Sequence, residues 1–453
     1  MTFSKDFIWG AATASYQIEG AAFEDGKGLS VWDRFSHTPG KVFMGHTGDV
    51  ACDHYHLMEQ DLDMIKSLGI KNYRFSISWP RILPEGVGKR NEKGIDFYNK
   101  LIDGLLNRGI RPMMTLFHWD YPLELHKRGS WENSDSPHWF LEFASLCAKQ
   151  FGDRVKDFIP LNEPACFIGM GHASGEHAPG LKLPLPASIA MGHHALKSNG
   201  LALAMLRQSV PGVHLGYAPN ANPVMPFTNT PEDIQAARKA YFRVSDNPAS
   251  WYWSASWWSD PVMLGHYPQD GLKLYERYLP KGWEKDMPLI HQKLDYYGQN
   301  IYHGQYVKAA DNSLGYEVVP HPRGIGQTAS GWPITPECLY WGPRFLYERY
   351  KTPILITENG LANQDTPSLD GKVYDPGREN YVNRHLLALK KAQADGTEIA
   401  GYLYWSLMDN FEWAQGYAHR FGMVYVDYES LQRIPKESAW WYKRVMETNG
   451  ENL

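Results

Sequence analysis

The chain is poor in cysteine, in long apolar runs and in positive charge. Its 453 residues include four cysteines, at positions 52, 147, 166 and 338, and none of them forms a CxxC pair. The sequence therefore holds no zinc or redox motif, and dispersed thiols in a long chain are typical of a reducing compartment. No apolar run reaches the roughly 18 residues that a membrane-spanning helix needs. A net charge of −5 leaves no basic surface that would indicate a nucleic-acid partner.

Motifs for cofactors and metal ions are missing as well. No GxGxxG or P-loop follows an apolar segment, so we expect no cofactor. The stretch CDHYH at 52–56 resembles a ligand cluster, but we interpret Asp53 as a helix cap and His56 as helix surface or core. His193 and His194 are adjacent in a helical pattern, so they face two directions and make a poor chelate. We predict no metal site.

The first residues have two interpretations. Lys5, the apolar run FIWGAATA and the small residues of ATA together imitate a signal peptide. Asp6 directly precedes the run, however, and the run is short for the apolar part of such a peptide. We therefore predict a first strand here, and expect a cytoplasmic protein.

Apolar and aromatic residues are abundant. Hydrophobic residues make up 43% of the chain, enough for a large core and too many for a disordered protein. The 17 Trp, 27 Tyr and 18 Phe residues have two explanations. A large, well-packed core accounts for them, and so does a ligand with flat apolar faces, such as a sugar or a base, on which aromatic rings stack.

Eight short apolar segments alternate with longer amphipathic ones. Helical patterns that end in glycine cover 53–69, 94–109 and 381–396. Such alternation predicts an α/β protein of parallel βαβ units, and eight units can close into a (β/α)8 TIM barrel. We predict one catalytic domain over 1–453 with long strand-to-helix loops, because no composition shift marks a second domain. The predicted strands are 7–15, 71–79, 111–119, 157–164, 214–222, 294–302, 353–360 and 399–407.

Polar and aromatic residues follow several of these segments where each predicted strand ends. The third ends in FHWD, the fourth in LNEP, the sixth in GQNIY and the seventh in ITENG, and the eighth runs into WSLMDNFEW. If these strand ends were only exposed to solvent, we would expect them to carry Lys, Ser and Thr instead. Since the carboxyl ends of all barrel strands meet at one mouth, these side chains predict a binding pocket there.

Two of these acids, Glu163 and Glu358, end the fourth and seventh predicted strands. Strands three positions apart in a ring of eight place them across the mouth from one another. Glycoside cleavage uses such a pair: one acid protonates the departing oxygen, and the other attacks or stabilises the sugar cation. A capping or salt-bridged role is the alternative for either acid alone. Two opposed acids, each beside an Asn, favour the catalytic interpretation.

The strand-end motifs resemble those of glycoside hydrolase family 1, the β-glucosidase family. The resemblance rests on LNEP, ITENG, FIWGAATASYQIEG, RFSISWPRILP, FHWDYP and YWSLMDNFEW, and it extends from Phe7 to about Lys443. It implies a retaining, two-step mechanism with Glu358 as nucleophile and Glu163 as acid/base. It also implies that Arg74 and Tyr302 contact the nucleophile.

The resemblance further implies which residues bind the substrate. Phe421 matches a pocket-lining position, and Trp332 matches an aromatic platform on the aglycone side, for which loop packing is the alternative. The family's phosphosugar branch lacks the acid at position 412 and has a Lys nearby, whereas this chain keeps Glu412 and Trp413 and has no Lys in that loop. We therefore expect unphosphorylated substrates. The full set of expected substrate-binding residues is Gln17, His118, Trp119, Asn162, Asn300, Tyr302, Trp332, Trp405, Glu412, Trp413 and Phe421.

The expected substrates are small molecules: cellobiose, short β-glucosides and aryl β-glucosides, with galactosides and fucosides as side substrates and cellulose degradation as the setting. Three alternatives stay open: a carbohydrate-binding protein on an inactive barrel, a transglycosylase and a 6-phospho-glycosidase. Ala165 and Cys166 depart from the Trp that often follows NEP, and Cys338 stands where Gly is common. Ala165 is expected to reshape the aglycone side. The sequence is compatible with a monomer or a homo-oligomer.

Overall fold

Eight parallel strands form a closed barrel in the computed structural model, which describes residues 2–453. Each lies within one of the eight predicted segments, so the predicted α/β barrel is confirmed. Pairing of the first strand with the last, from Ile8 with Gly401 to Ala12 with Trp405, closes the ring. The barrel strands are β1 (Ile8–Ala12), β2 (Asn72–Ser76), β3 (Arg111–Phe117), β4 (Asp157–Leu161), β5 (His214–Tyr217), β6 (Tyr296–Asn300), β7 (Ile354–Asn359) and β8 (Ile399–Trp405).

Helices surround the barrel, and short ones occupy its loops. The α-helices are Ser15–Ile18, Val31–Ser36, His54–Ser67, Trp79–Ile82, Glu92–Asn107, Leu123–Lys127, Ser136–Phe151, Leu185–Ser209, Pro231–Phe242, Ala255–Leu264, Gln269–Tyr275, Met287–Ile290, Cys338–Tyr350, Pro376–Ala394 and Glu437–Glu447. A π-helix spans Ala165–Ser174. The 3-10 turns are Phe43–Gly45, Ser130–Glu132, Trp251–Trp253, Glu276–Tyr278, Trp283–Asp286 and Trp413–Gln415.

The three helices predicted from glycine-terminated patterns are present. Gly69, Gly109 and Gly396 adopt φ values of 70°, 73° and 96°, a left-handed conformation that lets the chain leave a helix. The predicted cap at Asp53 is wrong in its chemistry. Asp53 occupies the N-cap position with φ 51°, but its carboxylate accepts from His56 Nδ1 at 2.6 Å rather than from a backbone N–H.

The predicted long loops contain secondary structure of their own. Strands Val224–Pro226, Gln305–Ala309 and Tyr316–Val319 form a small sheet from the loops after β5 and β6. Strands Val424–Val426 and Arg433–Pro435 form a hairpin after β8. These additions lengthen the loops on the mouth side, where the candidate site lies.

Two apolar clusters hold the barrel together. The larger one fills the space between strands and helices, and the smaller one takes single residues from six barrel strands or their ends. The smaller set closes the barrel interior below the mouth, so the barrel is a packed core and not a channel. Its members are Met113, Ile159, Ala218, Tyr296, Leu355 and Leu403.

The cysteines are buried and free, in keeping with the expectation of isolated thiols. None of the helices within 2–453 combines the length and apolar character needed to cross a bilayer. Within the same residues, no group of three His, Cys, Asp or Glu side chains is arranged to hold a metal ion.

Candidate active site

The strand ends surround a pocket of about 370 Å³ at the mouth of the barrel. Eleven of the residues that the sequence singled out line it: His118, Trp119, Glu163, Asn300, Tyr302, Trp332, Glu358, Trp405, Glu412, Trp413 and Phe421. Gln17, Arg74 and Asn162 are buried and hydrogen-bond to residues of the wall. The structure thus brings the whole predicted set together.

An irregularity in β7 explains how an apolar strand presents Glu358 to this pocket. Ile354 and Ile356 pack in the outer cluster and Leu355 packs inside, so regular alternation would point Glu358 outward. After Ile356 the register of β7 shifts against both of its neighbours. Such shifts re-aim side chains next to functional sites, and Glu358 lines the pocket.

Glu358 has a cation and a hydroxyl as its neighbours. Nη1 of Arg74 lies 2.7 Å from Oε1, and the Tyr302 hydroxyl donates to Oε2 at 2.7 Å. These are the two contacts that the sequence predicts. Burial raises the pKa of Glu358 above its ordinary value, and the positive charge of Arg74 and the Tyr302 hydrogen bond oppose this rise. The contacts therefore favour the carboxylate form.

Glu163 faces the same pocket without a cation of its own. Its backbone has φ 48°, and its N–H donates to the carbonyl of Ala218 at 2.9 Å, which fixes it beside the end of β5. Nδ2 of Asn300 donates to Oε1 at 2.8 Å, and Sγ of Cys166 to Oε2 at 3.2 Å. Burial, together with the negative charge of Glu358, raises the pKa of Glu163 to about 8. This acid therefore retains its proton at neutral pH.

Asn162 links the carboxylate region to His118. Its Oδ1 accepts from Nη2 of Arg74 at 2.6 Å and from Asn300 at 3.1 Å, while its Nδ2 lies 3.1 Å from Nε2 of His118. With Nε2 accepting, the ring proton is on Nδ1, for which residues 2–453 provide no hydrogen-bond partner. Burial lowers the pKa of His118 well below its ordinary value, so the neutral ring can donate that proton to a ligand hydroxyl.

Glu412 lies on the far side of the pocket, against Gln17. Nε2 of Gln17 donates to Asn410 Oδ1 and to the carbonyl of Phe411, each at 2.9 Å, and to Glu412 Oε2 at 3.3 Å. Burial and the charges of the other two acids raise the pKa of Glu412 to about 8. Arg74, the cation next to the pocket, already pairs with Glu358, which disfavours a second anion such as a phosphate.

Aromatic rings form the remaining walls. His118 stacks near-parallel to Trp405, with ring centres 5.6 Å apart, and to Trp413 at 5.9 Å. Trp332 is half-buried at the pocket's edge, 5.2 Å from the Tyr302 ring. It both packs in its loop and lines the pocket, and its role as a platform for the aglycone stays a prediction.

Other pocket residues escaped the sequence reasoning. Asn220 and Asn222 close the fifth predicted strand, so the strand-end criterion could have found them, whereas Trp253 comes from a loop helix that carries no such signal. Ala165 does not line the pocket: its side chain is buried in the core, and its neighbour Cys166 lines the pocket instead, so an effect of Ala165 on the aglycone side stays a prediction. The other additions are Met170, His177, His303, Ser330, Ala414, Gln415 and His419.

Comparison with known proteins agrees with this geometry. The family model described as glycosyl hydrolase family 1 matches residues 1–451. Beta-glucosidase A of Thermotoga maritima is 44% identical over 99% of this chain and 98% of its own length. The 1,4-beta-D-glucan glucohydrolase of Thermotoga neapolitana is 44% identical over 99% of both chains. The solved structure of the Thermotoga maritima beta-glucosidase with glucoimidazole superposes with a TM-score of 0.90 at 43% identity, covering 99% of both chains. The chain therefore belongs to glycosyl hydrolase family 1.

Proposed function

We propose that the protein is a retaining β-glucosidase that removes terminal β-D-glucosyl residues, with Glu358 as nucleophile and Glu163 as acid/base. The observation that carries the proposal is the pair of carboxyl groups in one pocket whose environments differ. Glu358 has Arg74 and Tyr302 beside it, whereas burial and the charge of Glu358 raise the pKa of Glu163 to about 8. An ionised attacker and a protonated acid are the two states that the first step needs.

In the first step, a carboxylate oxygen of Glu358 bonds to carbon 1 of the glucosyl unit while the bond to the aglycone oxygen breaks. Glu163 gives its proton to that oxygen. After this step Glu163 is a carboxylate, and Glu358, as an ester, carries no charge that would repel it. The pKa of Glu163 should therefore fall once the intermediate has formed.

In the second step, a water oxygen bonds to carbon 1 and the ester bond to Glu358 breaks, which restores its carboxylate. Glu163 takes the proton from the water. Two inversions give net retention at carbon 1. An acceptor alcohol in place of water would give transglycosylation by the same bonds, and product analysis at high acceptor concentration measures its share.

The substrates we propose are unphosphorylated. No Lys or Arg side chain within residues 2–453 lines the pocket, and Arg74 behind it is paired with Glu358, so a sugar phosphate would meet no free cation there. Cellobiose, short β-glucosides and aryl β-glucosides fit this proposal, and two Thermotoga relatives bear names that refer to β-glucosides and β-glucans. Galactosides and fucosides differ from glucosides at carbons 4 and 6, away from the attacked carbon, and are proposed as secondary substrates.

The test is hydrolysis of p-nitrophenyl β-D-glucoside by the wild type and by Glu358→Gly, with and without azide. Wild-type turnover, an inactive variant and its revival by azide with an α-glucosyl azide product would support the assignment. Glu451→Gly, at an exposed position near the chain end, is the matched control and should keep full activity. Unchanged activity of Glu358→Gly would refute the assignment. A wild type that binds glucosides without cleaving them would favour the carbohydrate-binding alternative.

A further inference from the structure

The thiol of Cys166 lies against the oxygen of Glu163 that Asn300 does not contact. Its Sγ is 3.2 Å from Oε2, it lines the pocket, and only 6% of the residue is exposed. Asn300 donates to the other oxygen, Oε1, at 2.8 Å. A thiol can donate a hydrogen bond, although a weak one. Each oxygen of Glu163 therefore has one donor, and the two donors come from different parts of the barrel.

The local backbone fixes the thiol in this position. Glu163 has φ 48°, and its carbonyl accepts from the N–H of Cys166 at 2.9 Å, which closes a turn around Pro164. The π-helix Ala165–Ser174 starts inside this turn. π-helical turns are frequently found at functional sites. The thiol of Cys52, by contrast, donates to a backbone carbonyl, that of Asp409, at 3.0 Å.

Several groups around Glu163 act on its charge. Burial and the carboxylate of Glu358 on β7 disfavour the ionised form, while the contacts from Asn300 and Cys166, and the charge of Arg74 on β2, favour it. The acid of Glu412 and the hydroxyl of Tyr302 also interact with it across the pocket. Cys166 is thus one of two direct hydrogen-bond donors that stabilise the Glu163 carboxylate.

We propose that Cys166 is a positioning residue for the second step, in which its thiol proton holds Glu163 in the ionised form that takes a proton from water. The inference rests on the proposed function, since it requires Glu163 to be the acid/base. The bonds are those of hydrolysis: water oxygen to carbon 1 forms, the ester to Glu358 breaks, and the water proton moves to Glu163. Sulfur is neither oxidised nor alkylated.

Two substrates separate the steps. 2,4-Dinitrophenyl β-D-glucoside has a leaving group that needs no proton, so its kcat reports the second step when the intermediate accumulates, as a burst of dinitrophenol verifies. Its kcat/KM reports the first step, in which the base form of Glu163 has no part. An alkyl β-D-glucoside needs the acid, so the basic limb of its kcat/KM profile follows the pKa of Glu163 in the free enzyme.

Cys166→Ala should lower kcat for the dinitrophenyl substrate by about three- to tenfold, the effect of one lost hydrogen bond. Its kcat/KM should stay close to the wild-type value. The basic limb for the alkyl glucoside should move to higher pH, because the ionised form has lost a donor. Azide, which attacks without a base, should recover much of the lost kcat. Cys166→Ser should restore kcat and the limb, since a hydroxyl donates where the thiol did.

Two controls separate this role from packing. Cys166→Val fills the space without donating and should behave as the alanine variant does. Cys147→Ala and Cys147→Ser change a fully buried thiol in the helix Ser136–Phe151 and should leave the basic limb where it is.

The inference would be overturned if Cys166→Ala matched the wild type both in kcat for the dinitrophenyl substrate and in the basic limb for the alkyl glucoside. It would also be overturned if the serine and alanine variants lost kcat equally. Failure of the proposed function has a different signature. Glu163→Ala would then keep wild-type turnover of the alkyl glucoside, whatever the Cys166 variants do.

Discussion

Glu163 and Glu358 are the same residue type in one pocket, but their neighbours differ. Glu358 has the guanidinium of Arg74 and the hydroxyl of Tyr302, each at 2.7 Å. Glu163 has an amide and a thiol, which are weaker partners for a charge. Since opposite charge lowers a carboxyl pKa more than a neutral donor does, we expect the two groups to titrate apart, Glu358 below Glu163.

A pH profile tests this order. With burial and the charge of Glu358 raising the pKa of Glu163 to about 8, kcat/KM for an alkyl β-glucoside should be constant near neutrality and fall as the pH rises through about 8. Activity is lost on the basic side because the acid must start protonated. With 2,4-dinitrophenyl β-D-glucoside, whose leaving group needs no proton, this limb should be absent from the wild-type profile. A limb that persists with this substrate would be assigned to Glu412, whose pKa is also raised to about 8.

At the scale of elements, the segment after β8 supplies a large part of the pocket wall. It carries Glu412, Trp413 and Phe421, and a buried ionic network fastens it from behind. Oδ1 of Asp409 accepts from Lys436 at 2.8 Å and from the N–H of Gly422 at 2.9 Å, and Oδ2 pairs with Arg420 at 2.7 Å. Lys436 also reaches Asp365, which pairs with Arg378.

Lys436→Met should loosen this segment. Removing one partner leaves Asp365 and Asp409 buried with one cation fewer, and such a change costs about 3–5 kcal/mol of unfolding free energy. KM for p-nitrophenyl β-D-glucoside should rise, because Glu412 and Trp413 lose their support. Urea denaturation and steady-state kinetics measure the two effects. Lys89→Met, at an exposed position, is the control. A Lys436→Met enzyme with wild-type stability and KM would show that the network does not hold the pocket.

The elements also show how far sequence reasoning reaches. The spacing of apolar residues and the glycines that end helical patterns predict the eight strands and the three helices, because both signals reflect local backbone preferences. The register shift in β7 that turns Glu358 inward depends on pairing with β6 and β8, so it has no local signal. The choice that Asp53 makes is local: its carboxylate accepts from the side chain of His56 in the first turn of its helix, and not from a backbone N–H there.

At the scale of the whole molecule, the barrel supplies one mouth into which several distant segments converge. Strand-end residues were predictable because parallel strands in a ring must share that face. Trp253 and Met170 come from inserted helices, and their place in the pocket depends on how those helices fold back, which spacing along the chain does not encode. Cys166 departs from the family pattern in sequence, but its contact with Glu163 depends on a left-handed turn at the acid itself, which the sequence does not indicate.

The buried acids also predict how stability depends on pH. Burial raises the pKa of Glu163 and Glu412 from 4.5 to about 8, and that of Asp120 from 3.8 to about 7. In the folded state these groups keep protons that the unfolded chain has lost. Their stabilising contribution is therefore complete below the unfolded values and disappears as the pH rises through 7 and 8.

Burial lowers the pKa of histidines such as His172 and His177 from 6.5 to about 4. These histidines make the stability rise with pH, but only below pH 6.5. Between pH 6.5 and 8 the acids dominate, so Tm should fall across this window. Glu163→Gln should gain stability over the wild type as the pH rises, because an amide does not titrate. Scanning calorimetry of both proteins checks this, and a constant difference across the window would contradict it.

The central claim is that Glu358 forms a covalent bond to the sugar. The most direct measurement is to inactivate the enzyme with 2,4-dinitrophenyl 2-deoxy-2-fluoro-β-D-glucoside, digest it and locate the label by mass spectrometry. We predict one 2-fluoroglucosyl group per chain, on the peptide that contains ITENG and attached to Glu358, with no label in Glu358→Gly. Label on Glu163 or Glu412, or time-dependent turnover without any labelled protein, would contradict the account.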